Sequence, residues 1–61
     1  MTKTQYIQLI NRLELKHATI LNKANSFRSD GAKQDADYIQ TKADFLADII
    51  QIIKDADKEN L

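Results

Sequence analysis

Three groups of side chains in this sequence have types and spacings that chemistry can use. They are a lone histidine, several closely spaced carboxylates, and a run of basic and amide residues in the first half. Histidine is the side chain suited to pH-sensing near neutrality, so one role open to His17 is a pH-sensitive group. It stands where an apolar residue would continue the local pattern. The simpler reading is a neutral, hydrogen-bonded core histidine that helps set helix register, as polar seam residues do.

The carboxylates fall together as Asp35 and Asp37, Asp44 and Asp48, and Asp55, Asp57 and Glu59. Paired carboxylates do acid–base work or hold a hard cation only in a shielded site with further ligands. Asp44 and Asp48 share a helix face, but that face is expected to be wet. The segment from Asp55 to Glu59 lacks the glycine and closing glutamate of a calcium loop. All of these read as solvated charge. There is no cysteine, no Gly-rich phosphate loop, and no nucleophile set beside a base. A chain of this size also has little room for a desolvated pocket. The expectation is a protein that is not an enzyme and holds no metal or cofactor.

The third group is Gln8, Arg12, Lys16 and Lys23, among Gln5, Asn11, Asn22 and Asn25. Lysine and arginine beside amide side chains can contact phosphates and base edges. No aromatic residue is interleaved to stack on bases, which counts against single strands. The same composition also suits any solvated helix.

The elements that must carry these residues are two helices. The chain has no proline and a single glycine, Gly31, at its middle. Thr2 with Gln5 three residues on can form a capping box. Tyr6, Ile10, Leu13, His17, Ile20, Ala24 and Phe27 then recur in steps of four and three, a heptad seam with one polar member. Gly31 suits the left-handed residue that ends a helix, and Ser29 or Asp30 is expected to cap the next one. The second helix repeats the heptad as Ala32, Ala36, Ile39, Ala43, Leu46, Ile50 and Ile53. Beside it runs a second apolar line of Tyr38, Phe45, Ile49, Ile52 and Ala56. The spans expected are helix 3–28, turn 29–31 and helix 32–57, in one domain covering 1–61. So short a turn makes the helices antiparallel neighbours.

The two apolar lines of the second helix cover roughly 160° at about 100° per residue, more than one partner helix can bury. A chain of 61 residues has a marginal core and usually needs disulfides, a metal or a partner chain. Without cysteine, and with one histidine, the partner chain remains. The fold class expected is therefore all-α, an antiparallel helical hairpin that pairs as a homodimeric four-helix bundle. Tyr38, Phe45, Ile49 and Ile52 are the expected protein-interface residues, with Leu9 and Leu15 as weaker candidates.

Net charge is zero, but residues up to Ser29 hold five basic groups and one acid, while the rest hold four lysines and eight acids. Opposite charge helps the two helices pair, or presents the first helix to an anionic partner. The apolar stretch from Phe45 to Ile53 is broken by Asp48 and Gln51 and is too short to span a bilayer. No signal-peptide pattern opens the chain. A cytoplasmic location with no membrane partner is expected.

The pattern resembles the Rop family, plasmid-encoded four-helix-bundle regulators of copy number. The resemblance runs ungapped along the chain when C-termini are aligned. It includes Thr19, Leu21, Lys23, Asn25, Asp30, Ala43, Asp44, Leu46 and the closing Glu59-Asn60-Leu61. It implies an antiparallel homodimer that binds paired RNA loops through its first helices. Of the family's contact residues Lys23 is unchanged, Gln8 falls on an asparagine, Lys16 on a glutamine, and Arg12 on an aromatic. The family's second helix is polar where this one has Tyr38, Phe45, Ile49 and Ile52. Two functions follow as expectations. One is a regulatory or adaptor protein that binds another protein through its helices, and the other is a Rop-like RNA-binding regulator.

Overall fold

The computed structural model describes residues 1–59, with side chains through residue 56. Its elements are two helices, α1 over Lys3–Ser29 and α2 over Lys33–Glu59, and no strand occurs among the described residues. Against the spans read from sequence, α2 begins one residue later, α1 ends one later and α2 two later. The grouping of Asp55 with Asp57 and Glu59 rests on side chains outside the described residues.

The start of α1 is fixed by reciprocal bonds. Thr2 Oγ1 accepts from the Gln5 backbone N–H at 3.1 Å, and Gln5 Oε1 accepts from the Thr2 N–H at 2.9 Å. Two donors that a helix start leaves orphaned are thereby satisfied.

The end of α1 is closed by Gly31, whose φ of +82° is open to glycine at no steric cost. Gly31 N–H donates to the Arg28 carbonyl at 3.2 Å, and Ala32 N–H donates to the Phe27 carbonyl at 2.9 Å. Together they form a Schellman closure. The closure corrects the expectation that Ser29 or Asp30 caps α2. Ser29 is the last residue of α1 and Asp30 is its C-cap. The residue before α2 is Ala32, whose carbonyl accepts from Ala36 N–H at 2.9 Å. The tight turn uses up the polar residues on the α1 side, so no hydroxyl or carboxylate is left at the α2 cap position.

The two helices pack along buried rows in which alanine predominates. Ala24, Ala36 and Ala43 are 0% exposed, Ile10 and Ile50 are 7% exposed, and among the described residues no larger side chain is fully buried. Small residues at these positions let the two helices approach closely. They also leave the larger apolar side chains beside the rows only half covered. The hairpin measures 45 × 17 × 11 Å with a radius of gyration of 14.2 Å. A compact globule of this length would have a radius near 10.5 Å.

Polar contacts between the helices fall on one rim. Lys54 Nζ lies 2.9 Å from Glu14 Oε1, and Arg28 Nη2 donates to Gln40 Oε1 at a long 3.5 Å. Gln40 Nε2 in turn donates to Asp44 Oδ1 at 3.0 Å. At about 100° per residue, Glu14, Arg28, Gln40 and Lys54 all stand to one side of the buried rows. Leu9, Leu13, Ile20, Phe27, Ile39, Leu46 and Ile53 all stand to the other, and each is half-buried. One rim is tied by polar side chains, and the opposite rim is an open apolar groove.

Candidate functional site

The open groove continues onto the far side of α2. Tyr38, Phe45 and Ile52 are 63%, 68% and 66% exposed, and Ile49 beside them is half-buried. Adding Lys42 and Ala56 completes a row with steps of four, three, four, three and four. This is a second heptad seam on the same helix, offset from the first by about 100°. α2 therefore presents two seams, of which α1 covers one.

Lys42 is the polar member of the second seam, and its part was not read from the apolar pattern. Its ammonium stands 4.6 Å from the centroid of the Tyr38 ring. In that position the lysine stem lies along the seam while the charge meets the ring face. The signal was the four–three spacing, which admits one lysine without losing phase.

The four expected interface residues, Tyr38, Phe45, Ile49 and Ile52, are thus brought onto one continuous face. The weaker candidates part company. Leu9 lies on the open rim of the groove, whereas Leu15, 70% exposed, stands on the back of α1 away from both seams.

Gln8, Arg12, Lys16 and Lys23 are all exposed on α1, within a sector of about 80° that borders the open groove. His17 is half-buried in the α1 row between Leu13 and Ile20, so the hairpin alone does not enclose it as a core histidine.

Asp35, Asp37, Asp44, Asp48 and Asp55 are all exposed. Asp44 is bonded by Gln40, and Asp55 Oδ1 accepts from Gln51 Nε2 at 3.0 Å. Among the described residues no three His, Asp or Glu side chains gather as a metal site requires. A shallow, solvent-open depression at the turn is lined by Gly31, Ala32, Lys33, Gln34 and Asp35. Its two charged side chains, Lys33 and Asp35, are both exposed. No helix among the described residues is long and apolar enough to cross a membrane.

Two contacts between the helices, Glu14 with Lys54 and Arg28 with Gln40, had no counterpart in the sequence reading. The Lys54 ammonium is held above its ordinary value of 10.5, first by its hydrogen bond to Glu14 and then by the charge of that carboxylate.

No family model, curated protein or solved structure matches the chain.

Proposed function

We propose that this protein is a non-enzymatic regulatory or adaptor protein that works by helix-mediated protein–protein binding, assembled as a homodimeric four-helix bundle. The observation that carries this reading is the continuous apolar surface from the open groove across Tyr38, Phe45, Ile49 and Ile52. Fully burying a side chain of this kind contributes about 1.5–3 kcal/mol. A hairpin whose fully buried residues are three alanines leaves much of that unrealised. Total accessible surface supports the same reading. The chain exposes 4909 Å², where a compact monomer of this mass exposes about 4,000 Å². The excess is close to the ~800 Å² per partner that a specific interface buries.

Replacing Phe45 by Ser together with Ile52 by Gln tests the reading. Both side chains are exposed in the hairpin, so the hairpin itself should keep its helix content. Weakened self-association and weakened partner binding are expected. Unchanged dimerisation and unchanged partner binding would refute the role given to this face.

A second reading rests on Gln8, Arg12, Lys16 and Lys23, which share one exposed sector of α1. The resemblance to Rop proteins places RNA contacts on the first helix, and here that sector is basic. Under this reading two hairpins present their first helices to structured RNA. Affinity should then fall steeply with added salt as phosphate contacts are lost. Absence of binding to a structured RNA at ~50 mM salt would end it.

A further inference from the structure

The second seam of α2 is bordered along its outer edge by charge of one sign. Asp37, Asp44, Asp48 and Asp55 are all exposed and follow one another in steps of seven, four and seven. At about 100° per residue they form a row about 90° round α2 from the seam, on the side away from the open groove. From Asp37 to Asp55 the row is about 27 Å long, at 1.5 Å per residue. Among the described residues no cation neutralises it. The one ion pair there ties Lys54 to Glu14 of α1, and the Lys42 ammonium stands over Tyr38. Asp44 and Asp55 accept hydrogen bonds from Gln40 and Gln51, whose amides are neutral.

We propose that the seam and its acidic edge together bind a basic amphipathic helix of another protein. This inference rests on the reading of α2 as a protein-binding face and goes beyond it in stating the chemistry of the partner. The partner helix lays apolar residues at heptad spacing on Tyr38, Phe45, Ile49 and Ile52. Lysines or arginines along one of its flanks then stand over the aspartates. Apolar burial supplies most of the affinity. The charged edge supplies the choice of partner and the speed of encounter.

Other occupants fit this face less well. In a square four-helix bundle a second copy filling the open groove stands about 90° round α2 from α1. It is then centred on Leu46 and Ile53, with Tyr38 and Ile49 at its edge and Phe45 and Ile52 beyond it. An anionic lipid surface meets the aspartate row with like charge. A basic helix meets both the apolar residues and the charge.

The probe is a synthetic amphipathic peptide of about 18 residues, the length of the row, with leucines at heptad spacing and lysines along one flank. Its twin carries glutamates in place of the lysines. Fluorescence anisotropy follows the binding of each, and light scattering reads the mass of the complex. The chain has no net charge and its first half is basic, so overall charge gives the lysine peptide no advantage. The lysine peptide should bind about tenfold more tightly at ~50 mM salt, with the preference fading near ~500 mM as screening shortens. Combining Asp37→Asn, Asp44→Asn, Asp48→Asn and Asp55→Asn should remove the preference and keep the helix content, because all four side chains are exposed.

Equal binding of the two peptides would leave α2 a helix-binding face and overturn the basic partner. Lysine-peptide binding undiminished by Phe45→Ser with Ile52→Gln would be charge alone, and would overturn it too. A lysine peptide that binds only by splitting a dimer would give the seam to a second copy, with the same consequence. Binding of neither peptide would overturn the protein-binding reading of this face as well.

Discussion

Lys54 Nζ and Glu14 Oε1, 2.9 Å apart, join α2 to α1 on the rim opposite the open apolar groove. The pair matters less for its strength than for its place. Both groups are partly exposed, and an exposed pair contributes little to stability. With Arg28 and Gln40 it makes one side of the hairpin polar and finished. Among the described residues the other side has no such contacts, and it is where apolar surface accumulates.

The pair has a pH signature. The Lys54 pKa is raised in the folded chain above its ordinary 10.5 by the Glu14 hydrogen bond and charge. A raised lysine adds stability that is fully present below its unfolded pKa and is lost as pH rises through the folded value. Thermal melts of the wild type and of Lys54→Met should therefore differ below about pH 10 and converge in more alkaline solution. A difference that persists unchanged into strong alkali would mean that the lysine acts through its stem alone.

The alanine row makes a sharper prediction. Ala43 is 0% exposed where α1 and α2 approach, so Ala43→Leu forces the helices apart. Overpacking of this kind costs about 1–3 kcal/mol, measured as the shift in urea midpoint. A neutral result would mean that the helices part there without loss.

Gly31 is held by its backbone alone. A Cβ added there meets no atom within 4 Å, but φ is +82°. Gly31→Ala should lower stability by about 1–2 kcal/mol, the left-handed penalty for an L-residue. Gly31→Asn should lower it less, because asparagine tolerates that region. Equal losses in urea titrations of the two variants would assign the cost to something other than φ.

His17 is the polar break in the α1 seam. His17→Leu should raise stability by about 1 kcal/mol, read from the same titrations, with the mass in solution unchanged. A fall in stability would assign His17 a hydrogen bond across the assembly, and a change in mass would assign it control of register.

Much of the hairpin was legible in the residues because its determinants are local. The Thr2–Gln5 box, the Gly31 closure and the four–three apolar steps each depend on neighbours within a turn or two of helix. What was not legible depended on the relative placement of the two helices. The Glu14–Lys54 and Arg28–Gln40 contacts follow from the register that the turn imposes. The cap assigned to Ser29 or Asp30 was lost to the same turn, which draws both into the end of α1. The face of Tyr38, Phe45, Ile49 and Ile52 was visible as periodicity, but its continuity with the groove of Leu46 and Ile53 needed the orientation of α2 against α1. Lys42 escaped notice because a lysine within an apolar line reads as an interruption until its ammonium is seen over Tyr38.

The most direct test of the proposed homodimer is the mass of the protein in solution, by light scattering on a sizing column across a wide range of concentration. A mass of twice the 7.0 kDa chain, falling only at high dilution and with loss of helix, is the result expected. A fully helical, stable monomer of 7.0 kDa at every concentration would contradict it.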